Sequence, residues 1–209
     1  MKNINRYLVL IFISFHINLS AQISKDKHRY DYQVREEKGD LNNDGKADKI
    51  TVKMDTIDET RPFHVQIFLS QPNGKLSLAA ASDKMIEPQY PAENNGRHTA
   101  FQIPTFFIEK GILSMWSEIE NGNITYDYRY LNGNFELVHV KKLTSNAPQG
   151  YTDENTVFTE MNFDLIKGVI TETDATSGAK KPSSIRKRTK LARPLPKLQD
   201  FKYSDKDLY

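Results

Sequence analysis

Cysteine is absent from the chain. Its absence excludes disulfides, thiol nucleophiles, cysteine metal ligands and a lipid carried on an N-terminal cysteine. Tryptophan occurs once and histidine five times, and no two histidines stand at a zinc-ligand spacing. There is no G-x-S-x-G elbow and no glycine-rich phosphate loop, which removes the motif-bearing hydrolases and nucleotide enzymes. A charge excess of one sign is lacking too: the formal net charge is +2, and Lys2 and Arg6 account for all of it. Long apolar runs are missing everywhere except at the start.

That start is informative. Lys2 and Arg6 precede an apolar run from Tyr7 to Leu19, and Ser20-Ala21-Gln22 then offers small residues where a signal peptidase cuts. This order predicts a secretory signal peptide over residues 1–21. The run is about 13 residues, against the ~20 that a membrane-spanning helix needs. The expected product is an exported chain, periplasmic or secreted, starting at Gln22 with no transmembrane segment. A chain of residues 22–209 is long enough to form one core without covalent cross-links. We expect a single domain over that range.

Neutrality hides an asymmetry. Residues 22–179 carry 17 basic and 24 acidic side chains, whereas residues 180–209 carry 10 basic and 3 acidic ones. The basic C-terminal segment (Lys180, Lys181, Arg186, Lys187, Arg188, Lys190, Arg193, Lys197) reads first as a strand or tail docked on the acidic body. Anionic envelope surface is the second reading. Nucleic acid is not expected, because no base-reading motif accompanies the charge and export removes the usual target.

Alternation dominates the rest. Ile50, Val52 and Met54 share one face of a strand starting at Asp48, and Phe63, Val65, Ile67 and Leu69 share another. Pro72-Asn73-Gly74 turns the chain toward Leu76, Leu78 and Ala80. Ile112–Ile119 lies between turns at Lys110-Gly111 and Asn121-Gly122. Ile124, Tyr126, Tyr128 and Tyr130 alternate up to Asn132-Gly133, and Phe135–Lys141 returns; Asn-Gly between alternating runs marks a hairpin. Lys167-Gly168 joins Val157–Ile166 to Val169–Thr173. These signals predict a mainly β protein, an antiparallel meander closing into a sandwich or barrel, with little helix outside the signal peptide. Residues 84–98 and 146–155 read as irregular loops. Arg193-Pro194-Leu195-Pro196 is expected to run extended over the surface.

The segment richest in chemistry is Asp40-Leu41-Asn42-Asn43-Asp44-Gly45-Lys46-Ala47-Asp48. Calcium takes six to eight oxygens, and a short loop can wrap it by offering one at every second residue. Asp40, Asn42 and Asp44 supply side-chain oxygens, Gly45 permits a sharp turn, Lys46 offers its carbonyl, and Asp48 adds a third carboxylate. The competing reading is an Asp/Asn-rich turn closed by its own side chains. The order Gly39–Asp48 followed by an apolar strand resembles the FG-GAP and VCBS-type calcium loop. That resemblance implies one structural Ca²⁺ held by Asp40, Asn42, Asp44, Lys46 (carbonyl) and Asp48. The loop departs from an EF-hand, since Thr51 stands where the bidentate glutamate belongs. More loosely, the order of loop, hairpins and Tyr128–Val138 is similar to a group of uncharacterised exported bacterial proteins, which implies no activity.

Two further constellations are weighed. Glu118 and Glu120 would share a strand face, as a glycosidase pair might, although two solvated glutamates explain them as well. Trp116 with Tyr126, Tyr128 and Tyr130 reads either as a half-buried core face or as a stacking platform for sugars. The expected function is a non-enzymatic, calcium-binding β-domain for a protein or envelope partner. A carbohydrate-binding module is the alternative.

Overall fold

The computed structural model describes residues 29–92, 95, 97, 103–147 and 151–203. The signal segment, His28 and His98 lie outside the described residues. Among the described residues, eleven strands form two antiparallel sheets, which make a sandwich. The smaller sheet is β1 (Tyr32–Gly39), β2 (Asp48–Met54), β3 (Phe63–Ser70) and β4 (Leu76–Ser82), in that order. The larger sheet begins with β5 (Thr105–Glu109), β6 (Ile112–Ile119), β7 (Gly122–Leu131) and β8 (Asn134–Ser145). It continues with β9 (Val157–Asp164), β10 (Val169–Thr176) and β11 (Ser184–Thr189). Each sheet is a plain meander, with every strand paired to its sequence neighbour.

The period-two pattern decides which face meets which. Phe63, Val65, Ile67 and Leu69 of β3 are all buried, as are Ile50 and Val52 of β2. Opposite them the larger sheet contributes Leu113 and Met115, then Ile124, Tyr126 and Tyr128, then Leu137, Val140, Phe163 and Ile170. Alternate residues of the same strands carry Ser114, Thr125, Asp127, Lys141 and Asn162, which pair across strands on the outer face. Burying one face of each meander against the other is what makes two sheets cohere, since apolar area removed from water contributes on the order of 25 cal/mol per Å².

The chain end completes the core. After β11 it returns to the sandwich: the Leu137 amide donates to the Pro196 carbonyl at 2.8 Å, and the Tyr203 amide to the Lys84 carbonyl at 2.8 Å. Leu198 and Phe201 are 0% and 4% exposed. The Phe201 ring meets Tyr126 edge-on at 4.8 Å and Tyr128 at 6.4 Å. The two prolines therefore take the chain across the surface only briefly, and the apolar residues after them are core.

The basic segment is an edge strand with acidic partners. Arg186 of β11 donates to both Asp174 carboxylate oxygens, at 2.6 and 3.2 Å, and to Glu172 at 3.4 Å. Arg188 reaches the other Glu172 oxygen at 3.3 Å. Asp174 is held well below the ordinary carboxylate value by Arg186, assisted by the hydroxyls of Ser184 and Thr159. Its charge is retained until the solution is far more acidic than 3.8, so the β10–β11 pairing keeps its electrostatic support across the neutral range. Such exposed pairs contribute little individually, and they accompany the antiparallel backbone ladder that joins β11 to β10.

Candidate metal centre

Between β1 and β2 the chain makes a nine-residue corner from Asp40 to Asp48. Two positive φ angles shape it, 59° at Asn43 and 81° at Gly45. Only glycine takes the second without steric cost, and asparagine tolerates the first. Side-chain oxygens then close the turn onto its own amides. Asp44 N–H donates to Asp40 Oδ1 and to Asn42 Oδ1, both at 3.1 Å. Gly45 N–H donates to Asp40 Oδ2 at 2.7 Å, and Lys46 N–H to Asp44 Oδ1 at 2.9 Å. Asp44 lies below its ordinary value of 3.8, first because the Lys46 amide bonds its charged form, then through the Asn42 side chain and the Lys46 ammonium. That ammonium stands 3.6 Å from Asp44 Oδ2.

Asp48 behaves differently from the other two carboxylates. It is wholly buried. Its Oδ2 accepts from Leu41 N–H and its Oδ1 from Ser70 N–H, each at 2.8 Å. It is thus a clasp, tying the first turn of the corner to the end of β3. Ser70 adds a second tie by donating its hydroxyl to the Ala47 carbonyl at 2.5 Å. Leu41, 1% exposed, drives the corner into the core from beneath.

The corner also joins the two sheets. A Cβ added at Gly39 would lie 2.5 Å from Ile108 Cγ2 of β5. One added at Gly111, in the β5–β6 turn, would collide with the Asn43 side-chain amide. Both glycines permit a close approach that no larger residue allows. Ser70, Ile108 and Gly111 escaped the sequence reading as parts of this corner, as did the packing of Gly39 and Asn43 against them. The Asp-x-Asn-x-Asp spacing is local, whereas these contacts depend on strand register and on how the sheets stack.

Comparison with known protein families, with curated proteins and with solved structures finds no match to this chain. The donor set must therefore be judged by its own chemistry. As placed, no three His, Cys, Asp or Glu side chains among the described residues form a group that could hold a metal ion. The loop oxygens are engaged by amide N–H groups. A carboxylate or amide oxygen has two lone pairs, so one amide hydrogen bond leaves each able to take a cation. Asp40 Oδ1 and Asn42 Oδ1 already converge on one nitrogen, and Asp44 is exposed beside them. The donors are all hard oxygens, the type calcium takes. On donor chemistry alone these oxygens are of a kind that suits a calcium ion, and the Lys46 carbonyl would be the backbone donor.

The other candidate sites fare less well. Tyr126 and Tyr128 are 2% and 0% exposed, and Tyr130 leans on Phe135 at 5.1 Å. Trp116 belongs to the opposite face, paired with Thr125. The tyrosine stripe is core, so it presents no flat row on which sugar rings could stack. Glu118 and Glu120 do not share a strand face, because β6 ends at Ile119 and Glu120 falls in the exposed turn beyond it.

The outer face of the larger sheet brings together three residues that the sequence kept apart. Ser114 Oγ donates to Asp127 Oδ1 at 2.6 Å, and His139 Nδ1 lies 3.0 Å from Asp127 Oδ2. The carboxylate stands between hydroxyl and imidazole. A nucleophilic serine needs the imidazole next to its hydroxyl and the carboxylate behind that. This order supports a cross-strand polar ladder rather than an activated serine.

Proposed function

We propose that the chain is an exported β-sandwich domain whose Asp40–Asp48 corner takes one structural calcium ion. The ligands are Asp40, Asn42, Asp44, Asp48 and the Lys46 carbonyl. The observation that carries this reading is the convergence of Asp40 Oδ1 and Asn42 Oδ1 on the Asp44 amide, beside the exposed Asp44 carboxylate. Binding there neutralises crowded anionic oxygens at a corner where the two sheets meet. Its effect is to stiffen the scaffold, and no step of catalysis is assigned to it.

With three carboxylates and no bidentate glutamate, the expected dissociation constant is on the order of 10⁻⁴ M. At millimolar calcium the ion then adds about 1.4 kcal/mol of stability by mass action. Calorimetric titration of chelator-treated protein is expected to reveal one site, which Asp44→Ala removes. Equal heats in wild type and Asp44→Ala would refute the ligand assignment.

Export is supported by the Lys2/Arg6, apolar run and Ala21 order of the first residues. Mass spectrometry of the protein recovered from its producing cell is expected to place the first residue at Gln22. A chain that retains Met1 would contradict it. Within the envelope or outside the cell the domain acts as a non-enzymatic binding module for a protein or envelope component. Saturable association with the isolated envelope fraction tests it, and equal recovery from protein-free buffer controls would sink it.

A further inference from the structure

In a meander the turns fall alternately at the two ends of the sheet. The β5–β6 turn at Gly111, the β7–β8 turn at Gly133 and the β9–β10 turn at Gly168 therefore share one end of the larger sheet, the end that holds the Asp40–Asp48 corner. The chain leaves β11 at the same end, where the Lys190 amide donates to the Gly168 carbonyl at 2.9 Å. Turn and exit form a tip. At about 4.8 Å per strand it stands roughly 20 Å from the corner, beyond the ~8 Å screening length of physiological salt.

Two apolar side chains crown this tip. Leu191 is 78% exposed, more than any other large apolar residue described, and Ile166 is 46% exposed. Both flank Gly168: a Cβ placed there would come within 2.9 Å of Leu191 Cδ2. Around them Lys167, Lys187, Lys190 and Arg193 are exposed. No aspartate or glutamate occurs in residues 165–171 or 185–199. Lys167 leans on Asp164 at 2.8 Å, whereas Lys187 and Arg193 meet no carboxylate among the described residues. The acidic strand β10 thus accounts for Arg186 and Arg188 and leaves the rest of the basic run directed elsewhere.

The backbone of the tip is already satisfied within the protein. Arg193 donates to the carbonyls of Leu165 at 3.3 Å and Ile166 at 2.7 Å. The Leu165 amide donates to the Val138 carbonyl at 3.0 Å, and the Lys167 amide to Asp164 Oδ1 at 2.9 Å. A partner protein reads a turn largely through such groups, so their engagement favours an occupant that does without them. Backbone closed in this way can enter a medium that offers no hydrogen bonds. A bilayer with anionic headgroups has the matching layers, negative charge outside and apolar chains beneath.

We propose that the Ile166–Leu191 tip docks on a lipid bilayer bearing anionic headgroups. Both apolar side chains enter the boundary between headgroups and acyl chains, and Lys167, Lys187, Lys190 and Arg193 lie among the headgroups. The assignment rests on the reading of the domain as an envelope-binding module and names the component it binds.

Flotation with vesicles tests it, in chelator and at about 0.15 M salt. Exported protein is expected to bind phosphatidylcholine vesicles containing about 30% phosphatidylglycerol roughly tenfold more tightly than phosphatidylcholine alone. Leu191→Ser should weaken that binding roughly tenfold, since one leucine leaves the apolar layer. Lys167→Gln and Lys190→Gln should each weaken it about fivefold. Leu78→Ser, exposed on the smaller sheet, should leave it unchanged. Because the chain has no cysteine, Leu191→Cys carries a single polarity-sensitive dye, whose emission should shift to the blue on anionic vesicles. The same dye on Leu78→Cys should not shift. No binding at about 1 mM anionic lipid would overturn the proposal, as would equal binding to neutral vesicles or undiminished binding by Leu191→Ser. Association with the isolated envelope that persists in Leu191→Ser would overturn the lipid assignment and leave the module reading standing. Failure of the wild type to associate with the envelope at all would remove both.

Discussion

Replacing Asp48 by alanine is expected to lower stability by about 3–5 kcal/mol, even with calcium chelated. The carboxylate accepts two hydrogen bonds inside the protein, from Leu41 N–H and Ser70 N–H. Hydrogen bonds to a charged acceptor contribute about 1.5–3 kcal/mol each, and removing the acceptor strands both donors. Alanine cannot reach either amide, and the corner lies on a buried leucine, so water enters poorly. In urea the midpoint should fall by roughly 1–2 M with little change in slope. Asp48→Asn separates charge from shape: one amide keeps an oxygen, the other faces an N–H₂ donor, and most of the loss should remain. A midpoint within about 0.2 M of wild type for Asp48→Ala would mean that the clasp carries no weight.

Phe201→Ala is expected to cost about 3–4 kcal/mol, although the residue lies eight positions from the last residue. A phenylalanine cut to alanine in a core loses about 3–5 kcal/mol through lost transfer energy and an unfilled cavity. The edge-on contacts with Tyr126 and Tyr128 add to that. This site already borders open volume, which places the expected value toward the lower end. Phe107→Ala is the control: that ring is 53% exposed on β5, and a surface change of this kind stays within about 0.5 kcal/mol. Equal effects of the two substitutions in thermal or urea unfolding would show that the C-terminal return is not part of the core.

The strands that alternate cleanly were legible in the sequence, and the structure places them where the pattern does. β2, β3, β6, β7 and β8 each have one buried face, and burial is what writes a period of two into a sequence. Those that were missed lack that signature. β1 ends the smaller sheet with Arg35, Glu36, Glu37 and Lys38 in succession, as edge strands often do. β11 was not missed outright: its charge run reads as a strand or tail docked on the acidic body, and what stayed hidden was the identity of its partners, Glu172 and Asp174, on a neighbouring strand. β5 is five residues long, too short to establish a period. The tyrosine stripe was recognised as one face of a strand, but a period cannot say which face points inward. That was decided by the polar ladder of Ser114, Asp127 and His139 on the other side. Leu198 and Phe201 were hidden behind Pro194 and Pro196, because prolines exclude a central strand without excluding a return to the core.

The corner was partly legible. Its oxygens at alternate positions and its glycine are local, so spacing alone suggested them. The clasp to Ser70 and the contacts at Gly39 and Gly111 are products of register and sheet stacking. A protein with the same nine residues on another scaffold would lack them.

The proposed calcium site at the corner is tested most directly by diffraction from crystals soaked in millimolar calcium. The account predicts a single strong peak at the corner. Oxygens of Asp40, Asn42, Asp44 and Asp48 and the Lys46 carbonyl should lie about 2.3–2.6 Å from it. A corner whose oxygens keep only their amide partners at that concentration, with no peak among them, would contradict it.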